Sequence, residues 1–252
     1  MSDRLAFDIL ERSISKLKGR RFVLDRSIPF GLLVGIVLRR FSWLIRGAVK
    51  CLLLQQEFRL VFMAPKVNLR NAALIRFGNG VTLERGVIID GLSRDGIRFG
   101  NNVMIGPYSL VRASVLSNLG AGIRMGDNSS VDAYSYIGAA GPITIGENVI
   151  MGQHVCFHAE NHNYDRVNIP IKHQGTRRKG IVIEDDCWVG ANTTFLDGAH
   201  VGHGCVIGAG SIVHGEIPPF SVAVGVPARV IKCRLPDGTT PASSHVNPAG
   251  DV

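Results

Sequence analysis

A six-residue rhythm of apolar positions runs through the segment from Val189 to Pro218. Cut into blocks of six, it reads VGANTT, FLDGAH, VGHGCV, IGAGSI and VHGEIP, and an apolar residue opens each block. This period fits neither an α-helix, with about 3.6 residues per turn, nor the alternation of one long strand. It fits a chain that turns a corner every six residues and buries the opening residue in a narrow shared interior. The pattern therefore predicts a parallel β-helix built from hexapeptides.

The same rhythm extends towards the N-terminus with interruptions. Phe77, Phe99, Met125 and Ile145 each open a shorter run of blocks. At residues 158–182 the rhythm stops, and the chain reads HAENHNYDRVNIPIKHQGTRRKGIV. Long polar excursions from a rigid scaffold are where binding and catalysis concentrate. We therefore predict a β-helix domain over residues 71–234, with a functional loop at 158–182.

Residues 1–70 have a different pattern, which predicts a helical region. Apolar positions are scattered through residues 1–26, and IPFGLLVGIVL at 28–38 is the most apolar run. Helical spacing continues to residue 62, with Arg46, Lys50 and Arg59 between the apolar positions. A membrane-spanning helix needs about 20 apolar residues, so none is predicted, and no signal-peptide cleavage site follows. Residues 28–62 fit contact with an anionic membrane surface, a cap on the open end of the β-helix, or both.

Charge separates the two regions. Residues 1–85 contain 16 Lys and Arg against 6 Asp and Glu, whereas the remainder contains 12 against 14. We expect anionic lipid, and not nucleic acid, as the partner of the basic third. Five cysteines without a CxxC pair predict reduced thiols, and thus a cytoplasmic protein or one peripheral to the inner face of the cell membrane. Residues 235–252 are rich in Pro, Ser and Gly and predict a disordered tail.

Histidines are concentrated around the loop, at positions 154, 158, 162 and 173. A zinc site needs converging imidazoles, but residues that superimpose in hexapeptide coils lie about eighteen residues apart. Because His154, His158 and His162 are spaced by four, they would point in different directions, and we expect no metal. The alternative is one histidine acting as a general base, since a neutral imidazole can take a proton from a hydroxyl.

The loop and its flanks resemble a known family. NHNYD, IPI and the run from GIVIEDDCWVG at residue 180 to GVPARVIK at residue 232 are similar to the hexapeptide O-acetyltransferases. These include maltose, galactoside, nodulation-factor and xenobiotic acetyltransferases and sugar acetyltransferases of polysaccharide gene clusters. The resemblance covers residues 75–234. It implies a left-handed parallel β-helix, a homotrimer, and acetyl-CoA bound between neighbouring subunits.

The resemblance also implies roles for single residues. His162 occupies the position of the catalytic base, with His158 as the second candidate. Asp132 occupies the position of an acceptor-binding Asn, and Trp188 borders the pantetheine channel close to His162, so that Asp132, Trp188 and His158 are assigned to substrate binding. The positions carried over for the cofactor are Ala191, Ala209, His214, Gly215, Arg229 and Lys232.

Two points qualify these assignments. Asp132 departs from the galactoside-modifying pattern, because it keeps an acceptor atom but lacks the amide donor, so a different acceptor is expected. Arg177, Arg178 and Lys179 could bind phosphate, hold an anionic acceptor or simply be solvated.

We therefore expect an acetyl-CoA-dependent O-acetyltransferase that modifies a saccharide hydroxyl on a lipid-linked or surface-polysaccharide precursor. Two alternatives stay open. GQHVCFHAE faintly resembles the ligand segment of γ-class carbonic anhydrases, which share the β-helix and bind zinc through three histidines. A trimeric solenoid could also serve as a non-catalytic scaffold.

Overall fold

A computed structural model describes residues 3–19, 21–55, 57, 59–113 and 118–235. The predicted tail from residue 236 onwards lies outside the described residues. Two helices begin the chain, α1 at Asp3–Lys18 and α2 at Phe30–Leu53. Almost all of the remaining chain winds through short strands, with single 3-10 turns at Ala72–Leu74 and Ile171–His173.

Each coil of the chain contributes one strand to each of three sheets, which are parallel except for the last strand. Sheet A contains β1 (Val61–Met63), β4 (Val81–Leu83), β7 (Met104–Ile105), β10 (Ser130–Val131), β13 (Ile150–Met151), β18 (Trp188–Val189), β21 (Val206–Ile207), β24 (Ser221–Gly225) and the antiparallel β25 (Ala228–Cys233). Sheet B contains β2 (Asn68–Arg70), β5 (Ile88–Asp90), β8 (Leu110–Arg112), β11 (Tyr136–Gly138), β14 (Cys156–His158), β19 (Thr194–Leu196) and β22 (Ile212–Val213). Sheet C contains β3 (Ile75–Phe77), β6 (Ile97–Phe99), β9 (Gly122–Met125), β12 (Pro142–Ile145), β17 (Ile181–Ile183), β20 (His200–Val201) and β23 (Glu216–Ile217). A separate hairpin consists of β15 (Asn161–His162) and β16 (Thr176–Arg177).

This architecture confirms the predicted left-handed parallel β-helix with an N-terminal helical region and a protruding loop. The residue that opens each hexapeptide points into the interior. Ile137, Phe157 and Phe195 lie directly above one another in sheet B, and the two phenylalanine rings stack with centroids 4.9 Å apart. Burial of these columns supplies the hydrophobic stabilisation of the fold.

The solenoid begins earlier than the sequence pattern indicates. Val61, Met63 and Val67 are buried, and β1 pairs in register with β4. The predicted boundary at residue 71 therefore falls inside the first coil. A short 3-10 turn at Ala72–Leu74 forms the corner between sheets B and C in this first coil.

Helix α2 closes the open end of the first coil. Gly47 allows the closest approach, since a Cβ on this residue would stand 1.8 Å from the carbonyl oxygen of Val61. Arg46 Nη1 donates to the Met63 carbonyl at 3.0 Å, and Lys50 Nζ donates to the Val67 carbonyl at 2.5 Å. Burial lowers the pKa of Lys50, as expected for a cation withdrawn from water. The capping role predicted for this region is therefore present in the structure.

A different face of α2 is apolar and exposed. Its members recur at helical spacing along the full length of the helix and are Phe30, Val34, Val37, Leu38, Phe41, Ile45, Val49 and Leu52. We call these eight residues the apolar stripe. In the described part of the chain, no helix has both the length and the apolar content needed to cross a membrane.

The cap can be tested with a pair of glycine substitutions in α2. We expect Gly47→Ala to destabilise the protein by about 1–3 kcal/mol, because the added methyl group meets the Val61 carbonyl. Gly35→Ala is the matched control, since a Cβ there meets no atom within 4 Å and alanine favours a helix by up to about 1 kcal/mol. Urea unfolding at one fixed protein concentration measures both. Equal stability of the two variants would contradict the close packing of α2.

Candidate active site

The loop leaves sheet B after His158 and returns to sheet C at Ile181. Within it, β15 and β16 form an antiparallel pair in which His162 lies opposite Thr176. The backbone N–H of Asn163 donates to the Gly175 carbonyl at 3.0 Å, which extends the pairing. His162 therefore sits on a hydrogen-bonded hairpin, not on an irregular segment.

The side chain of Gln174 forms the buried centre of the loop. Its side chain is buried, with 8% exposed, and its Nε2 donates to the carbonyls of Arg166 and Ile169, both at 2.7 Å. Its Oε1 accepts from the Arg166 N–H at 3.1 Å. One amide group thus joins both halves of a segment that has little apolar material of its own.

The base of the loop is fixed to the β-helix by two charged side chains. Arg178 Nε donates to Glu160 Oε2 at 2.6 Å, and its Nη1 donates to the Leu119 carbonyl at 3.2 Å. The buried carboxylate of Asp197 accepts from the backbone N–H groups of Lys179 and Gly180, both at 2.8 Å. These contacts hold the departing and returning chains together.

His162 and His158, the two candidate bases, have different surroundings. Both side chains are exposed. The His158 ring lies at the end of β14 with its centroid 5.5 Å from that of Tyr136. His162 makes no side-chain hydrogen bond with any described residue. Its ring nitrogens are therefore available to a substrate.

Trp188 lies on the outward face of sheet A, with 56% of its surface exposed. It pairs with Ile150 on one side and Val206 on the other. The same outward row continues through Val222 to Lys232 on β25. Trp188 and Lys232, both predicted at the donor site, therefore share one row of one sheet.

The corner between sheets A and B, here the A–B corner, carries Ala191 and Ala209 on successive coils. The N–H of Gly210 donates to the Ala191 carbonyl at 2.8 Å, and a Cβ on Gly190 would stand 2.4 Å from the Ala209 nitrogen. A Cβ added to Gly210 would meet no atom within 4 Å. This strip of small residues leaves room for a narrow, flexible ligand lying against the backbone.

The remaining predicted donor residues lie towards the C-terminal end of the solenoid. Arg229 and Lys232 are exposed on β25. His214 and Gly215 are exposed where β22 ends, and a Cβ on Gly215 would meet open space. The structure thus places Arg229 and Lys232 at the edge of sheet A, whereas His214 and Gly215 lie at the corner between sheets B and C, on the side of the β-helix from which the loop with His162 projects.

Asp132 is exposed at the A–B corner, where it follows β10. Its Oδ1 accepts from the backbone N–H of Ala133 at 2.7 Å, and its other carboxylate oxygen has no hydrogen-bond partner among the described residues. Along the same corner, Tyr108, Tyr134 and His154 stack with centroids 5.4 and 5.3 Å apart. His154 therefore belongs to an aromatic column and not to the loop.

The predicted residues form two groups on different sides of one chain. The loop with His162 and His158 begins and ends at the B–C corner, between sheets B and C. In a three-sided solenoid this corner lies opposite sheet A, which carries Trp188, Arg229 and Lys232. Within one chain, the strands that flank the loop and the sheet that carries Trp188 therefore lie on different sides of the β-helix.

Within one chain, the histidines of the loop and its flanks lie apart from one another. Within the residues that the structure describes, no three His, Cys, Asp or Glu side chains converge as ligands. His154 stacks on Tyr134, whereas His158 lies against Tyr136 and His162 lies on the hairpin. No observation on the described chain favours the carbonic anhydrase alternative.

Of the three basic residues at the end of the loop, Arg178 has a structural role. Its pairing with Glu160 and Leu119 withdraws it from phosphate binding, one of the roles considered for it from the sequence. Arg177 and Lys179 remain exposed. Sequence reasoning also missed Gln174 and Asp197, and its only available signal was that both are polar residues next to glycine.

Known proteins share this repeat. Residues 180–215 match the family model described as bacterial transferase hexapeptide (six repeats). A probable acetyltransferase of Mycobacterium tuberculosis is 42% identical over 74 residues, which cover 29% of this chain and only 25% of that protein. WbbJ of Escherichia coli K12, named for O-acetyl transfer in lipopolysaccharide biosynthesis, is 29% identical over 164 residues, or 65% of this chain and 74% of that protein. A solved hexapeptide-repeat acetyltransferase of Vibrio cholerae is 28% identical with a TM-score of 0.45, covering 53% of this chain and 71% of that one.

The fold and the repeat define this chain as a hexapeptide-repeat β-helix protein. The resemblance to the hexapeptide-repeat acetyltransferase family, predicted from the sequence, is confirmed by these matches.

Proposed function

We propose that the protein is an acetyl-CoA-dependent O-acetyltransferase that acts on a saccharide hydroxyl. The observation that carries this proposal is the presentation of His162. Its ring is exposed and makes no hydrogen bond with any described residue, and it lies on a hairpin fixed to a β-helix whose residues 180–215 match a bacterial transferase family. The name of WbbJ, which refers to O-acetyl transfer in lipopolysaccharide biosynthesis, supports a saccharide acceptor.

The surface around Trp188 fits a CoA-type donor. The strip at Ala191 and Ala209 suits a narrow pantetheine arm, because no larger side chain covers the backbone there. Arg229 and Lys232 stand at the edge of the same sheet, where guanidinium and ammonium groups can bind phosphates. Acetyl-CoA, when bound, supplies an acyl group on a thioester, whose carbonyl carbon accepts the acceptor hydroxyl.

His162 moves the proton in the proposed reaction. Its Nε2 takes the hydroxyl proton while the oxygen–carbon bond forms, which makes the hydroxyl oxygen a stronger nucleophile. The protonated ring then gives that proton to the sulfur as the carbon–sulfur bond breaks. No covalent bond to the protein is formed. Asp132, an exposed residue whose carboxylate accepts only from the Ala133 N–H among the described residues, is proposed to accept a hydrogen bond from the sugar.

A homotrimer would bring the loop of one subunit close to sheet A of its neighbour. Because the loop projects from the B–C corner and Trp188 lies on sheet A, each active site takes His162 from one subunit and Trp188 from its neighbour. A cyclic trimer repeats this heterologous contact three times and closes on itself.

We also propose that the apolar stripe of α2 contacts an anionic membrane surface, so that the protein works at the inner face of the cell membrane. Two observations support this. The stripe is exposed although α2 packs on the first coil through Gly47 and Arg46, and Leu52 has 78% of its surface exposed. The basic excess of residues 1–85 adds electrostatic attraction to anionic lipids.

The general base is tested by His162→Ala, assayed by free-thiol release from acetyl-CoA with a panel of sugars. We expect kcat to fall by about a hundredfold to ten-thousandfold, as is typical for a lost general base, with the Kd for CoA unchanged. His173→Ala, another exposed histidine of the same loop, is the matched control and should retain activity. Full activity in His162→Ala would refute the assignment and make His158 the next candidate.

The shared site is tested by mixing two inactive variants. Trp188→Ala and His162→Ala, each inactive alone, are unfolded and refolded together at equal concentrations. Mixed trimers then contain one intact site each, so random mixing should restore about a quarter of wild-type activity. No recovery, with mixed trimers confirmed by mass spectrometry, would place His162 and Trp188 in the same subunit's site or in none.

Membrane contact is tested with vesicles of phosphatidylglycerol and phosphatidylcholine. We expect the double variant Phe41→Gln, Ile45→Gln to bind at least about tenfold more weakly than wild type, because it loses two apolar side chains of the stripe. Val167→Gln, which changes a fully exposed loop residue, serves as the control. If the double variant and wild type sedimented equally with vesicles, the stripe would not be a membrane surface.

A further inference from the structure

A row of arginines runs along the outward face of sheet C. Arg76, Arg98 and Arg124 are direct partners in the parallel register of β3, β6 and β9. Each lies between two buried residues of its strand, so all three side chains point outwards and are exposed. Adjacent strands are about 4.8 Å apart, which places three like charges side by side. We call these three residues the arginine row.

The arginine row is confined to one end of the solenoid. The same row of sheet C continues with residues of other types, namely Thr144, Val182, His200 and Glu216. Like charges directly opposite one another in neighbouring strands destabilise a sheet. The β-helix therefore gains nothing from arginines at these positions, and their presence calls for a ligand of opposite charge.

Carboxylates of the described chain do not neutralise the row. Arg76 donates only to backbone carbonyls of Ala73 and Ile75, and Arg98 and Arg124 have no hydrogen-bond or ion-pair partner among the described residues. Glu57 lies beside the row but is paired with Arg59 at 2.8 Å. Asp127, at the adjoining corner, accepts two hydrogen bonds from Asn101.

A cavity of about 480 Å³ lies over Arg76 and Arg98 of the row, and its lining also includes Glu57, the ion-pair partner of Arg59. Arg76 and Arg98 line it from sheet C, and Arg59 lines it from the segment that follows α2. Its floor includes the stacked pair of Phe77 and Phe99, whose rings are buried. Because no aromatic face is open for base stacking, the cavity does not suit single-stranded nucleic acid. Its chemistry suits a compact anion.

We propose that this cavity binds a diphosphate group. A guanidinium binds a phosphate through two parallel N–H···O bonds, and neighbouring guanidiniums one strand apart can each hold one of two linked phosphates. The cavity is separate from the donor residues Arg229 and Lys232, which lie on sheet A at the other end of the solenoid.

The position of the cavity connects it to the acceptor. Sheet C runs from β6 through β9 and β12 to β17, the strand at which the catalytic loop returns. Three strand spacings, about 14 Å, separate Arg98 from that return. An acceptor sugar carrying a diphosphate would thus extend from the arginine row towards the loop. This assignment to the acceptor rests on the proposed function, whereas binding of a diphosphate does not.

Binding of sodium pyrophosphate, followed by isothermal titration calorimetry on the full-length protein, tests the proposal. We expect Arg98→Ala to weaken binding at least tenfold, and Arg98→Lys to weaken it less because the charge remains. Arg85→Ala, an exposed arginine at the A–B corner, is the matched control and should bind within twofold of wild type. Thermal melts that coincide with wild type show that the variants are folded.

Lys232→Ala distinguishes the arginine row from the donor site. It should keep pyrophosphate binding if the cavity is the site. If wild type binds no pyrophosphate, or if Lys232→Ala loses binding while Arg98→Ala keeps it, the proposal is overturned. A protein that binds pyrophosphate through Arg98 but transfers no acetyl group would keep this proposal and lose the catalytic one, and the reverse result would do the opposite.

A competition experiment between pyrophosphate and lipid vesicles identifies the source of the phosphate. If vesicles containing phosphatidylglycerol displace pyrophosphate from wild type, the cavity takes the phosphate of a lipid headgroup. If they do not, it takes the diphosphate of a ligand in solution. Both results require that Arg98 binds the anion.

Discussion

Coil-to-coil register is the constraint on which the rest of this structure depends. Each strand pairs with the strand one coil further on, as Ser130 with Ile150 and Ile150 with Trp188, so the place of a residue in its hexapeptide decides whether it lies inside, outside or at a corner. Residues far apart in sequence then form continuous columns. The buried aromatic column, the strip of small residues and the arginine row are all products of this one regularity.

The register also explains why the sequence predicts the β-helix but does not predict how its N-terminal end is capped. An apolar residue is needed at every sixth position, and that demand is visible in the sequence. The first coil has no coil before it, so its end needs hydrogen-bond donors, which α2 supplies with Arg46 and Lys50. Small and basic residues of α2 therefore face the first coil, while its apolar stripe is exposed. In most amphipathic helices of globular proteins, the apolar face is the one that packs against the core. Nothing in the sequence of α2 alone indicates which face is covered.

For the candidate site, the sequence predicted the loop and its histidine, and resemblance supplied the roles. It did not predict how the loop is held, because Gln174 donates to backbone carbonyls, which carry no sequence signal, and Arg178 pairs with Glu160, eighteen residues earlier in the chain. That the loop with His162 and the sheet with Trp188 begin on different sides of the solenoid also needed the structure. It follows from the alternation of three sheets, with the loop inserted at the corner opposite sheet A. The local sequence pattern predicts the individual elements, whereas the order of strands in the three sheets determines which residues lie close together.

The three corners of this solenoid differ in how much the length of the connecting segment varies from coil to coil. Every connection from sheet A to sheet B spans the same four residues, as between Met151 and Cys156, whereas connections from sheet B to sheet C range from two residues after Val213 to 22 after His158. Variation in length has thus accumulated at a single edge of the molecule. A connection at this edge can be lengthened, shortened or exchanged without shifting the register of the three sheets. The rest of the solenoid then stays fixed while a surface loop changes.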